Sequence, residues 1–161
     1  MNLQIRPYTA ADLEAIVALS LPAWEPVFTA WQQILGPKIY PLAIYPDWRQ
    51  GQRAVVEKIC TNEQMNTWLA VVDDQVVGFV SYELNQESKT GEVHLLAVHP
   101  DHQNGGIGTE LNMFALQKLK EGGMKLAVLG TGDDEGHAPA RRSYEKAGYT
   151  ALPTVRYYKA L

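Results

Sequence analysis

The segment Leu95-Leu96-Ala97-Val98-His99-Pro100-Asp101-His102-Gln103-Asn104-Gly105-Gly106-Ile107-Gly108-Thr109 constrains the fold of this chain more than any other. An apolar run ends at Pro100, a polar turn follows, and glycines 105, 106 and 108 open a stretch with Leu111, Phe114, Ala115 and Leu119 on one helical face. A strand, a tight turn and a helix in that order require a sheet with a helix laid across it. Glycine lets backbone N–H groups approach a ligand closely, and a helix N-terminus adds partial positive charge. Together they suit a diphosphate. Two other phosphate loops fit worse: Gly-Lys-Ser/Thr is absent, and Leu111 occupies the place of the third dinucleotide glycine. The glycines alone serve equally well as a turn that joins strand to helix.

The rest of the chain supplies the sheet. Leu3 to Arg6 alternates as a strand does, and Thr9 with Asp12 forms a near capping box for a first helix over about residues 10 to 20. Pro22 interrupts that pattern, and a second helix is expected from Trp24 to Leu35, ended by Gly36-Pro37. Pro46 and Asp47 start a third helix that carries Val55, Val56 and Ile59 inward. Strands follow over 67–72, 76–84 and 91–98, with Asp73-Asp74 as a tight turn. Leu126 to Leu129 reads as a short buried strand, Pro139 opens a last helix, and Val155 to Lys159 reads as a closing strand. The expectation is an α/β fold with a central mixed sheet of about six to seven strands and about four flanking helices. No repeat or linker divides residues 1–161, so a single domain is expected.

The last helix carries a second constellation, His137-Ala138-Pro139-Ala140-Arg141-Arg142-Ser143-Tyr144, followed by Gly148-Tyr149. Helical spacing sets His137, Ala140 and Tyr144 near one face. A tyrosine in such a place is ordinarily a packed residue with its hydroxyl satisfied.

The two constellations together resemble the GNAT superfamily of acyl-CoA N-acyltransferases. Gln103, Gly106 and Gly108 match its first motif, Gln/Arg-x-x-Gly-x-Gly/Ala. Ala140, Tyr144, Gly148 and Tyr149 match its second, Asn-x-x-Ala-x-x-x-Tyr-x-x-x-Gly-aromatic. Gly105 departs from the basic residue common there, and His137 stands where asparagine is usual. The resemblance implies a single GNAT-type domain that uses acetyl-CoA as co-substrate. The backbone amides of Gln103, Asn104, Gly105, Gly106, Ile107, Gly108 and Thr109 would hold the coenzyme A diphosphate. Leu96, Ala97 and Val98 would line the pantetheine arm and acyl carbonyl, with His137 and Ala140 beside them. Tyr144 would protonate the leaving thiolate; a phenol with a pKa of about 10 can donate to a thiolate. Glu92 is the expected general base, and His94, two residues along the same strand, is the runner-up.

The acceptor side is written less clearly. Trp24, Phe28, Trp31, Tyr40, Tyr45 and Trp48 crowd the region after the first strand, where this superfamily builds its acceptor site. Trp24, Phe28, Trp31 and His94 are the candidate substrate contacts; packing in the early helices explains aromatic residues equally well. An amine on an apolar body would suit such a wall. Direct transfer in a ternary complex is expected, because no positioned Cys or Ser nucleophile appears. A non-catalytic acyl-CoA-binding module stays open as the alternative.

Charge and composition narrow the remaining classes. A net charge of -4 gives no basic footprint, so no nucleic-acid partner is expected. No apolar run of about 20 residues is evident, and the N-terminus lacks the pattern of a secretory leader, so no membrane is expected and a cytoplasmic setting is. Cys60 is the only cysteine, which excludes an intramolecular disulfide. His99-x-x-His102 and Asp133-Asp134-Glu135 lack metal-ligand spacing, so no metal is expected. A monomer or homodimer is expected.

Overall fold

Four strands run antiparallel in chain order: β1 (Leu3–Pro7), β2 (Asn66–Val72), β3 (Gln75–Asn85) and β4 (Thr90–Val98). β5 (Leu126–Leu129) adds to β4 in parallel, giving the order β1-β2-β3-β4-β5. This is a computed structural model, and it describes residues 2–44 and 46–161. The β2–β3 hairpin turns on Asp73 and Asp74, with φ of 48° and 64°. Aspartate tolerates that left-handed region, which a two-residue hairpin demands of both residues.

Helices cover the two faces. α1 (Leu13–Ala43) and α2 (Trp48–Cys60) lie on one, where Ile16, Val17, Leu19 and Val56 pack against Leu69, Val71, Phe79 and Ala97. α3 (Ile107–Glu121) lies on the other, with Ile107, Leu111, Ala115 and Leu119 against Val80, Tyr82, Val93 and Val98. α4 (Ala138–Lys146) follows β5. Each layer follows the sequence pattern: strand residues alternate between the two helical layers. Asp12 accepts a hydrogen bond from the Thr9 amide at 2.9 Å, as the capping-box reading requires, and also takes the Arg6 guanidinium at 2.7 Å. Asp47 caps α2 through the Arg49 amide.

The early helices differ from expectation. Pro22 does not end a helix; α1 runs through Pro22 and Pro26. Ile16, Leu19 and Ser20 before these prolines and Val27 after them are all buried on one stripe. Packing of that stripe offsets the roughly 3 kcal/mol that an interior proline costs. The break comes at Gly36, with φ 70° and ψ 178°, and helical bonding resumes to Ala43. Residues 10–43 are long and apolar enough to cross a membrane by length and composition alone, contrary to the sequence reading. Here the apolar stripe of that stretch packs on the sheet. In α2, Val56 is buried but Val55 is exposed.

The C-terminal side also differs. Among the described residues the sheet has five strands, fewer than expected. Residues 147–161 form no helix or strand, so the expected strand over Val155–Lys159 is absent, and Leu152, Val155 and Tyr157 are exposed. β5 is consequently an edge strand and not a buried one. Ala127 and Leu129 pack toward α3, while Leu126 and Val128 on its other face are exposed. A strand buries both faces only when elements cover both, and here one is uncovered.

Candidate functional site

β4 changes neighbours halfway along. Its ladder with β5 runs from Thr90–Leu126 to Val93–Leu129 and stops there, while its ladder with β3 continues to Val98. The phase of that second ladder is fixed by one bond, the His99 amide to the Val77 carbonyl at 2.8 Å. Hydrogen-bonding pairs alternate in an antiparallel ladder, so residues 95, 97 and 99 turn their backbone groups toward β3. Leu96 and Val98 turn theirs the other way, into the gap that opens beyond the end of β5. The Val98 carbonyl receives the Gln103 side chain at 2.9 Å. The backbone groups of Leu96 and Val98 thus lie at this gap, whereas Ala97, grouped with them in the sequence reading, turns its backbone to β3 and buries its methyl against the α1–α2 layer.

The glycine loop closes one side of this gap. A short 3-10 turn (Pro100–His102) leads to Gln103, and α3 begins after Gly106. The Gln103 amide already donates to the Pro100 carbonyl at 3.2 Å, so it is not free to bind a diphosphate. The first helical bond is from the Glu110 amide to Gly106. The amides of Ile107, Gly108 and Thr109 are therefore the unpaired first-turn donors of α3. Among the described residues, those of Asn104, Gly105 and Gly106 have no backbone acceptor either. Gly106 needs to be glycine, because its φ is 88°. Gly108 does not: a Cβ there would meet Val98 no closer than 3.7 Å, an ordinary contact. A helix position with room for a side chain and none present leaves the amide surface bare. That bare surface fits a bulky anion approaching the helix end.

A bulge shapes the opposite lip. Ser81 pairs with Leu95 and Tyr82 with Val93, so His94 has no partner on β3. An extra residue of this kind bends a strand and re-aims a side chain. Glu92 pairs directly with Glu83 across the ladder, and the donor atoms of Glu83, Glu92 and His94 all lie within 4.8 Å of one another. His94 Nε2 stands 3.2 Å from Glu83 Oε1 but out of hydrogen-bond alignment, and that buried nitrogen has no hydrogen-bond partner. The sequence reading paired Glu92 with His94 and missed Glu83. The signal was the two-residue alternation Phe79, Ser81, Glu83 on the strand facing β4, readable only once the register was known.

The loop between β5 and α4 is pinned to α1. Trp31 Nε1 donates to Asp134 Oδ2 at 3.1 Å, and His137 Nδ1 lies 2.7 Å from the same oxygen. Asp134 Oδ1 also accepts the His137 amide at 3.2 Å, and the Arg141 guanidinium donates to the carbonyls of Gly132 and Asp134. Burial alone would push the Asp134 carboxyl up; its hydrogen bonds from His137 and Trp31 outweigh this and hold it below the ordinary carboxylate value. His137 thus starts α4 and anchors it. Trp31 belongs to this clamp, and Trp24 packs beside Phe79 at 6.4 Å between ring centres. Phe28 lies between Trp31 and Trp48, stacked on Trp48 at 4.7 Å. Tyr45 lies outside the described residues. The expected aromatic wall is therefore in large part a packed layer that supports the site.

Tyr144 lies on α4 one turn along from Ala140, with its ring edge-on to Tyr149 at 5.9 Å. Burial raises the Tyr144 phenol above its ordinary value. Burial and the neighbouring Tyr144 push Tyr149 up to about 12. The Tyr149 hydroxyl is buried without a partner.

A family model described as "Acetyltransferase (GNAT) family" matches residues 24–149. Among curated proteins, the mycothiol acetyltransferase of Streptomyces coelicolor is 33% identical over 92 residues, covering 57% of this chain and 29% of that protein. The mycothiol acetyltransferase of Saccharomonospora viridis is 27% identical over 127 residues, covering 70% and 41%. The chain therefore spans well under half the length of these relatives. Among solved structures, the PaiA N-acetyltransferase of Thermoplasma acidophilum in complex with coenzyme A superposes with a TM-score of 0.73 at 17% identity, covering 96% of this chain and 94% of that one. An acetyltransferase of the GNAT family from Staphylococcus aureus gives a TM-score of 0.70 at 19% identity, covering 94% and 87%. With a splayed β4–β5 pair, bare amides at the start of α3 and a family match over most of its length, the chain belongs to the GNAT acetyltransferase family.

Proposed function

We propose that this chain is an N-acetyltransferase that moves an acetyl group from acetyl-CoA to a primary amine, on a small molecule or a peptide, by direct attack in a ternary complex. The gap where β4 leaves β5 carries this reading, because it brings three kinds of group to one place. Bare amides from Asn104 to Thr109 bind the diphosphate. The outward N–H groups of Leu96 and Val98 line the arm and the acyl carbonyl. Glu92 and His94 stand at the lip where an acceptor enters.

The chemistry follows from these placements. Acetyl-CoA supplies the acyl group as an activated thioester. An alkylammonium has a pKa of about 10 and must lose a proton before it attacks. Glu92 takes that proton. The amine nitrogen then bonds to the carbonyl carbon while the Leu96 N–H stabilises the oxyanion, a contribution of a few kcal/mol, about 3, for a well-aimed donor. The C–S bond breaks, Tyr144 passes its hydroxyl proton to the sulfur, and the second proton of the amide nitrogen leaves through solvent, from which the Tyr144 phenolate is reprotonated. The raised Tyr144 pKa keeps that proton in place through neutral and mildly alkaline pH.

The test is a panel of amines with acetyl-CoA, read by release of free thiol. Stimulated release with at least one primary amine is expected, together with calorimetric binding of coenzyme A. No stimulation and no binding would remove the reading; binding without turnover would favour an acyl-CoA sensor.

A further inference from the structure

The two edges of the sheet are protected unequally. β1 ends in Arg6 and Pro7, a charge and a residue without an N–H, and both discourage a further strand. β5 carries neither. Leu126-Ala127-Val128-Leu129 is apolar throughout, and among the described residues no strand lies beyond it. Leu126 is 58% exposed, and Val128 on the same face is exposed as well. A bare apolar edge of this kind is a template for another strand.

The same chain holds a segment suited to that template. Val155-Arg156-Tyr157-Tyr158-Lys159 is rich in β-branched and aromatic residues, and Pro153 steers Leu152 before it away from helix. Paired as a strand, the segment would set Val155, Tyr157 and Leu161 on one face. It carries Arg156 and Lys159 and no acidic residue, on a chain of net charge -4, so the body of a second copy attracts it. Yet the segment does not lie on its own β5. Gly148, with φ 88°, turns the chain out of α4, and among the described residues no backbone group of 151–161 bonds to the rest. Leu152 and Tyr157 stay 87% and 90% exposed, and Val155 and Leu161 are exposed with them.

Edge and segment are thus present in one copy and both uncovered there. Two copies related by a two-fold axis cover both at once: each lays its segment along the other's β5, and the assembly closes. We infer that this chain forms a strand-exchanged homodimer in which residues 154–160 of one copy add to the β5 edge of the other. The added strand gives backbone partners to the outer side of β5, and each five-stranded sheet gains a sixth strand. Val155 and Tyr157 then become cross-strand neighbours of Leu126 and Val128. The exchange accounts for a strand pattern at 155–159 that forms no strand in a single copy.

Dimer formation is independent of the acetyl-transfer reading, so the test reads mass and amide protection rather than turnover. Light scattering after size exclusion should give the wild type twice the mass of one chain, with slowed hydrogen exchange at amides within 155–159. Two variants each block one half of the contact: Val128→Lys puts a charge on the β5 edge, and the double change Val155→Lys with Tyr157→Lys puts charges on the segment. All three side chains are exposed in one copy, so both variants should keep the wild-type far-ultraviolet circular dichroism. Each should run as a monomer, and Val128→Lys should lose the protection at 155–159 although its segment is unaltered. A monomeric wild type overturns the exchange; protected 155–159 amides in that monomer would show the segment closing on its own β5. A dimer that survives either variant, or protection at 155–159 that survives Val128→Lys, overturns it as well by placing the contact elsewhere.

Discussion

At the scale of single residues, the glycine loop separates two demands that the sequence cannot tell apart. Gly106 is glycine for the backbone and Gly108 is glycine for a ligand, since only the former has a left-handed φ. Gly106→Ala should therefore lower stability by about 1 kcal/mol. Gly108→Ala should leave stability unchanged or raise it by up to about 1 kcal/mol, because alanine is the better helix former. The matched motif admits alanine there, so a bulkier side chain is the sharper test: Gly108→Val should weaken coenzyme A binding severalfold or more. Thermal unfolding and calorimetry of each variant check the set, and normal binding in Gly108→Val would reverse the assignment. Tyr144→Phe keeps the ring packing and removes only the hydroxyl. It should lower kcat by about 100-fold or more, the usual scale of general acid catalysis, with coenzyme A affinity retained. Rapid-mixing kinetics with an active amine would measure both.

At the scale of elements, the clamp between α1 and α4 governs where the tyrosine sits. Asp134 accepts from Trp31 on one side and His137 on the other, with its own side chain 4% exposed. Asp134→Ala removes the oxygen that both groups share and leaves them without an acceptor, which costs about 1–3 kcal/mol for each buried group. Its melting temperature should fall, and its kcat should fall with it as α4 loses register. A variant with native kcat would show that α4 is held by other contacts. The sequence made some of this legible and not the rest. The strand–loop–helix at residues 91–121 was readable because its signals are local: alternation, then glycine, then a helical stripe. The clamp was not readable, because residues 31 and 134 are far apart in sequence and Trp31 looks the same in a substrate wall or a packed layer. Glu83 was hidden for a similar reason, since only strand register shows which carboxylate faces Glu92. The course of α1 through Pro22 was misread because burial of its stripe outweighed a local proline signal. The β5 edge was misread because buriedness was inferred from apolar residues alone.

At the scale of the whole molecule, the response to pH follows from groups distributed over both layers. Burial pushes the Cys60 thiol up to about 11, and Tyr149 is pushed up to about 12. Groups whose folded pKa is raised contribute stability that is fully present below their unfolded pKa and lost as pH rises through the folded one. Their unfolded values are about 8.5 and 10, so the melting temperature should fall between about pH 9 and pH 12. Tyr149→Phe should flatten the upper part of that fall. It should cost little stability at neutral pH, because the buried hydroxyl has no partner to lose. Thermal scans across that range would check both, and an unchanged alkaline slope in the variant would place the titrating group elsewhere. At the acid end the sign reverses: the Arg6 guanidinium holds Asp12 well below the usual carboxylate range, so its contribution is lost as pH falls.

The pinning of Trp31 to Asp134 also bears on how this chain could be altered by exchange of parts. The helix that carries Trp31 and the helix that carries Tyr144 are joined through one buried carboxylate, so neither is an independent cassette. A chimera that imports a new α1 must import its partner at position 134, or restore the pair by design. Any exchange of α1 therefore has to carry two distant pieces of sequence at once.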